Sequence, residues 1–216
     1  MRPRVVAIDG PAGSGKSTLA RSLARVLDLP YVNTGSMYRA LTMEAIRQGV
    51  NLEDGSALAS LMDTLEFSVS QGSPGELSID GRPAGPELES GEVESAVSTV
   101  ARHPQVRARM RDAQRQLGAG GAVMEGRDIG TVVFPEAPVK MFLEADPQRR
   151  AGRRELERDG DDAADALHER DRLDAGVNPF VPAPDAVVID TSDLSIDDTV
   201  SAALVVVADR ASELLP

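Results

Sequence analysis

The chain predicts an α/β fold with a mostly parallel central sheet flanked by helices, plus a small antiparallel β insertion. Three observations carry that expectation. Apolar, strand-like runs alternate with helical stretches along most of the 216 residues, the pattern of repeated βαβ units. A glycine-rich segment, "GPAGSGKST", joins the first apolar run to the first helical one. One stretch, about 51–91, breaks the alternation and reads as hairpins.

The elements follow in order. Arg4 to Ile8 reads as a buried first strand. Lys16 to Leu27 reads as a helix with Leu19, Leu23, Val26 and Leu27 on its apolar face. Pro30 to Val32 is a short second strand and Gly35 to Gln48 a second helix. Between Asn51 and Gly91 the chain is polar and turn-rich. Leu65, Phe67 and Val69 alternate there, as do Leu77 and Ile79, with "QGSPGE" between the runs and "DGRP" after them. Ala122 to Met124, Val139 to Leu143 and Ala186 to Ile189 are further strand candidates. A last helix spans Ile196 to Leu214, with Asp197 and Asp198 suited to its electropositive first turn. The expected organisation is one domain: a core of 1–50, 92–146 and 164–216, the β insertion at about 51–91, and a helical arginine lid at about 147–163.

Composition narrows the function. The formal net charge of −12 argues against a broad nucleic-acid-binding surface. Cysteine is absent and histidine is limited to His103 and His168, which disfavours thiolate chemistry and a histidine-rich metal centre. No apolar run reaches the roughly 20 residues that span a bilayer, and "MRPRVVAIDG" lacks a secretory signal's pattern. A cytoplasmic, monomeric protein without membrane or nucleic-acid partners is expected. Lys16 and Lys140 are the only lysines, and the first lies inside the glycine-rich segment.

That segment fits G-x-x-x-x-G-K-[ST] at Gly10, Gly15, Lys16 and Ser17. Glycines let backbone N–H groups turn inward around an oxyanion, and a helix N-terminus adds partial positive charge. Gly10, Pro11, Ala12, Gly13, Ser14, Gly15, Lys16, Ser17 and Thr18 are therefore expected to hold the phosphates of a nucleoside triphosphate. Lys16 reaches the β- and γ-phosphates, and Ser17 offers an oxygen to the Mg2+ that accompanies the nucleotide. A guanine-binding switch would need an Asn-Lys-x-Asp reader, which neither lysine provides. The signature segments and length of a transporter or motor ATPase are missing too. A small-molecule kinase remains, and it needs a second anion site.

Arginines supply candidates. "NTGSMYRAL" places small polar residues and Arg39 at a helix start after the second strand. "MEGRDIGTVVFP" places Arg127 and Asp128 just past a strand end, at the sheet edge where open α/β folds bind ligands. In "RRAGRRELERDG", Arg150, Arg154 and Arg158 share a helix face, with Arg149 and Arg153 alongside. This is either a solvated face or a lid that brings charge onto the transferring group. Arg170 and Asp174, four apart in "HERDRLD", can pair within a helix.

"IDGPAGSGKST", "NTGSMYR", "VSTVARHPQVR", "EGRDIGTVVFPEAPVKMFLEAD", "ERDRLD" and "NPFVPAPDAVVIDTSDLSID" resemble, in order, segments of the bacterial cytidylate kinases. The "GRDIGTVVFP" block and the β insertion are the specific parts; the phosphate loop is generic. The resemblance spans nearly the whole chain. It implies a P-loop kinase core, and phosphoryl transfer from ATP to CMP or dCMP. By resemblance, Ser98, Arg107 and Asp128 match the residues that read cytosine, and Thr34, Tyr38, Arg39 and Arg127 match acceptor-side positions. Arg170 and Asp174 match sugar contacts, and Arg153 and Arg154 match lid arginines that act with Lys16 and Arg127 in catalysis. Two departures stand out. The arginine that family members carry about three residues after the position of Asp174 is missing, and Asn33 replaces their aspartate. Two rival readings are a kinase for another acceptor, such as UMP, AMP or an alcohol, and a non-catalytic nucleotide-binding protein.

Overall fold

A computed structural model describes residues 4–70, 77–157, 172, 176 and 180–216, with backbone alone at 154–157. Its centre is a five-stranded, all-parallel sheet. The strands are β1 (Val5–Asp9), β2 (Tyr31–Asn33), β6 (Ala122–Gly126), β7 (Val139–Glu144) and β8 (Val187–Asp190), in the spatial order β2-β6-β1-β7-β8. β1 is buried on both faces because it is central and uniformly apolar up to Asp9.

Two cores flank the sheet. On one face, Val6, Ile8, Val123 and Met141 pack against α1 (Lys16–Leu27) and α7 (Ile196–Ala211). On the other, Val5, Ala7, Ala122 and Met124 pack with residues of α2 (Thr34–Gln48) and α5 (Pro104–Gly118). α4 (Gly91–Ala101) lies against α2. The apolar face of α1 differs from expectation at one position. Val26 is exposed, and the small residues Ala20 and Ala24 are buried with Leu19 and Leu23 instead. Alanines let α1 sit close to the sheet, and the Leu19–Leu23 row, not the Val26 side, meets it.

The stretch 51–91 is of two kinds. Phe67–Val69 (β3), Leu77–Ile79 (β4) and Arg82–Pro83 (β5) form the expected antiparallel sheet. Asp80 and Gly81 make the tight turn between β4 and β5 with φ of 51° and 73°, the left-handed pair that a two-residue hairpin of right-handed twist requires. Before it, however, α3 (Gly55–Met62) is a helix capped by Asp54, whose carboxylate accepts from the Ser56 and Ala57 amides at 3.0 Å. Leu58, Leu61 and Met62 enter the main core beside Val106 and Met110. An apolar i, i+3, i+4 set within only eight residues is too short to stand out from its polar surroundings. α4 and α5 likewise join the elements read from the sequence. The terminal helix ends at Ala211, followed by a 3₁₀ turn to Leu214.

Candidate active site

The carboxyl ends of β1 and β6 carry the site. The phosphate loop leaves β1 at Gly10, whose φ is +146°, and a Cβ there would lie 2.3 Å from the Leu143 carbonyl oxygen. At Gly13, with φ +72°, a Cβ would lie 2.8 Å from the Arg150 carbonyl oxygen. Both positions therefore exclude side chains. Gly15 opens α1 in the left-handed region, and among the described residues no side chain caps its N-terminal amides. An uncapped helix start with orphan N–H groups is an anion site. The Lys16 ammonium is buried at this loop and donates to the Pro11 carbonyl at 2.6 Å, while the Ser14 hydroxyl donates to the same oxygen at 3.0 Å. Ser17 is half-buried and Thr18 exposed on the first turn of α1.

The arginine helix α6 (Pro147–Glu157) lies beside this loop. Arg150 is buried and donates to the Ala12 carbonyl at 3.1 Å, so it braces the loop and is not part of a solvated face. Arg153 donates to the Gly13 carbonyl at 3.4 Å, to the Thr191 hydroxyl at 3.1 Å and to the Thr191 carbonyl at 2.5 Å. Thr191 in turn donates to the Ser14 carbonyl at 3.1 Å. A cleft of about 370 Å³ opens here, walled by Gly15, Thr18, Arg153, Leu194 and Ile196. It pairs a cation with exposed apolar side chains, Leu194 and Ile196 being 38% and 61% exposed. Such walls suit a flat heteroaromatic ring. The side chain of Arg154, and Arg158, Arg170 and Asp174, lie outside the described residues.

On the other side of β1, the segment after β6 turns back over the loop. Arg127 donates to the Gly10 carbonyl at 2.7 Å and stacks over the Phe180 ring at 5.5 Å. Asp128 accepts from Arg107 of α5 at 2.7 Å. Burial pushes the Asp128 carboxyl above the usual range, and the Arg107 guanidinium pulls it back. Tyr38 faces the same pair; burial raises its phenol above the ordinary value, with Arg107 opposing. Arg39 is bound at 3.0 Å by Glu94 of α4. Ser98 lies one helical turn beyond Glu94 on α4. Thr34 is buried and donates to the Glu125 carbonyl at 2.7 Å, tying the start of α2 to the end of β6. Gly126 is closed to any side chain, because a Cβ there would meet Thr34 Oγ1 at 2.6 Å.

Asn33 has its own logic. Its Oδ1 caps α2 by accepting from the Ser36 amide at 3.0 Å, and its Nδ2 donates to the Tyr31 oxygen at 3.2 Å. The Tyr31 hydroxyl donates a hydrogen bond to buried Glu125 at 2.5 Å. An aspartate could cap the helix but has no donor for Tyr31, so the amide fits this network better.

A sequence profile of the cytidylate kinase family matches residues 6–209. The cytidylate kinase of Rhodococcus jostii is 46% identical over 95% of this chain and 95% of its own. That of Pelotomaculum thermopropionicum is 44% identical, covering 90% and 92%. The chain belongs to the cytidylate kinase family. A solved shikimate kinase from Acinetobacter baumannii overlaps it more loosely, with TM-score 0.46, 14% identity and coverage of 98% and 96%. Among the described residues, no helix is long and apolar enough to cross a membrane.

For a cytidylate kinase, the structure gathers Tyr38, Arg107, Arg127 and Asp128 close to the phosphate loop, and gathers Arg153 on its other flank. It also adds residues that sequence reading missed. Glu94 could have been flagged only by its i, i+4 spacing from Ser98. Arg111, which acts electrostatically on both Asp128 and Tyr38, repeats Arg107 at i+4. Thr191 and Asp9 carried no local signal.

Proposed function

We propose that this chain transfers the γ-phosphoryl group of ATP to CMP or dCMP, giving ADP and CDP or dCDP. The observation that carries the reading is the Arg107–Asp128 pair beside Tyr38, held against the phosphate loop by Arg127. An ion pair here gives a base both a fixed donor and a fixed acceptor. Asp128 accepts from the cytosine 4-amino group. Uracil presents a carbonyl at that place and sets one acceptor against another, which is the kind of mismatch that discriminates strongly.

The chemistry needs no general base. The attacking group is a phosphate oxygen, largely ionised near neutral pH. The chain's task is to bring two anions into line and offset charge on the group in flight. Gly10 to Thr18 grip the donor phosphates, with Lys16 on the β- and γ-phosphates. Arg39 and Arg127 hold the acceptor phosphate, with Thr34 and Tyr38 shaping its seat and Ser98 beside the base. Arg153 and Arg154 bring charge from the donor side, and the cleft beside Arg153 takes the adenine. Arg170 and Asp174 are assigned to the sugar. The chain's oxygen for a hard cation is Ser17 Oγ at the helix start, so Mg2+ arrives on the ATP phosphates with Ser17 as its protein ligand. When bound, it neutralises phosphate charge. A cytoplasmic monomer is part of the same proposal.

The test is ADP release with CMP, dCMP, UMP and AMP offered separately. Turnover with CMP or dCMP well above the other two supports the reading. Equal rates with AMP or UMP, or nucleotide binding with no ADP formed, defeats it.

A further inference from the structure

Asp9 ends β1 one residue before the phosphate loop, and its side chain is buried. Strand alternation turns it toward the face of Val5 and Ala7, under the segment that follows Asp128. There each carboxylate oxygen takes one backbone amide: Oδ1 accepts from Ile129 and Oδ2 from Gly130, both at 2.7 Å. These amides open a π-helical turn, Ile129–Val133, whose first N–H groups have no partner within the turn. Gly130 is closely packed: a Cβ there would lie 3.3 Å from both Asp9 Oδ2 and the Lys140 methylenes.

The arrangement works from both sides. Asp9 holds the residues just after Asp128, and the next carbonyl along, that of Gly10, holds Arg127 at 2.7 Å. Consecutive residues of the donor-side chain thus grip the four-residue stretch 127–130. A neutral side chain of the same size offers one acceptor where the carboxylate offers two.

We propose that Asp9 is a positioning residue: by clasping the Ile129 and Gly130 amides it sets Arg127 and Asp128 in register with the phosphate loop. Both its oxygens are taken up by those amides, so it acts through Arg127 and Asp128. The inference rests on reading Arg127 and Asp128 as acceptor-side groups. A residue of this kind acts on the alignment of two bound substrates, so it affects turnover and base choice more than affinity.

The experiment compares wild type with Asp9→Asn in steady-state kinetics with CMP and UMP, after circular dichroism shows the variant folded. Asparagine turns an amide donor toward one of the two N–H groups. The expected result is a kcat for CMP lower by about 10- to 100-fold, KM values for ATP and CMP within about threefold of wild type, and a narrowed CMP-to-UMP preference. Glutamate at the same position, which keeps both acceptors, restores part of kcat. Unchanged kcat and preference in folded Asp9→Asn overturns the proposal, as does a loss confined to KM. A second measurement needs no variant. In the nucleotide-free wild type, the Ile129 and Gly130 amide resonances titrate together with Asp9. Asp128 and Lys16 are the charged groups that act on it, with the Lys140 methylenes reaching Gly130 from β7. Two amides that do not respond overturn the clasp. Wild type inactive toward CMP would instead defeat the functional reading, so the two failures are distinct.

Discussion

Replacing Asp9 by asparagine should reshape the pH dependence of stability, and the size follows from the site. Burial raises the Asp9 carboxyl to about 6 from an ordinary value of 3.8, with the Gly130 and Ile129 amides opposing, Asp128 adding to the rise and Lys16 countering it. A raised carboxyl means the folded chain binds a proton that the unfolded chain has already lost. Stability therefore falls as pH rises from about 4 to about 6, and the deficit is complete above that window. At 1.36 kcal/mol per pH unit the difference amounts to about 3 kcal/mol. Asparagine does not ionise and removes this deficit; like the protonated acid, it presents one acceptor and one donor to the two amides, so it matches the wild type's low-pH form. The variant should therefore be about as stable as wild type near pH 4 and about 3 kcal/mol more stable than it at pH 7–8. Urea unfolding at half-unit pH steps measures both. In melting temperature the swing corresponds to about 6–12 °C for a domain of this size. A wild-type-minus-variant difference that stays constant from pH 4 to 8 would refute a buried, ionisable Asp9. The consequence for function is plain: at neutral pH the chain keeps a carboxylate that does not stabilise it.

Three further outcomes test the rest of the site and the core. Asp128→Ala should narrow the preference for CMP over UMP by tenfold or more, because the acceptor that rejects uracil is gone; steady-state kinetics with both nucleotides would show an unchanged ratio if base reading lies elsewhere. Arg153→Ala should raise KM for ATP about tenfold, the equivalent of one charge-assisted hydrogen bond, with KM for CMP unmoved; a shift in the CMP value alone would contradict the donor-side placement. Leu58→Ala, on the helix hidden in the 51–91 stretch and fully buried, should cost about 2–5 kcal/mol in urea unfolding. A loss under 0.5 kcal/mol would place α3 outside the core.

The phosphate loop was legible because its requirements are local. Glycines with positive φ, a lysine and a hydroxyl must fall at set spacings between a strand and a helix, so the string "GPAGSGKS" carries the geometry with it. The Asp80–Gly81 turn was legible for the same reason. The central sheet followed from short apolar runs, though their ends shifted by one or two residues. The arginine face of 150, 154 and 158 stayed open between solvent and a lid, because helical spacing shows which side chains align. It does not show which of them a neighbouring loop will bury.

The sequence by itself determined the α/β class, the donor loop, the hairpins and the family's characteristic "GRDIGTVVFP" block, all written in residues near one another along the chain. Only the tertiary structure decided who meets whom across long separations: Arg107 with Asp128, Arg39 with Glu94, Arg153 with Thr191, and Asp9 with two amides 120 and 121 residues away. In each of these, one partner or both carries no distinguishing local pattern. An aspartate ending a strand looks the same whether solvent or a backbone turn lies above it. The parallel order β2-β6-β1-β7-β8 settles that by setting β6 beside β1 and folding the segment after it over the phosphate loop.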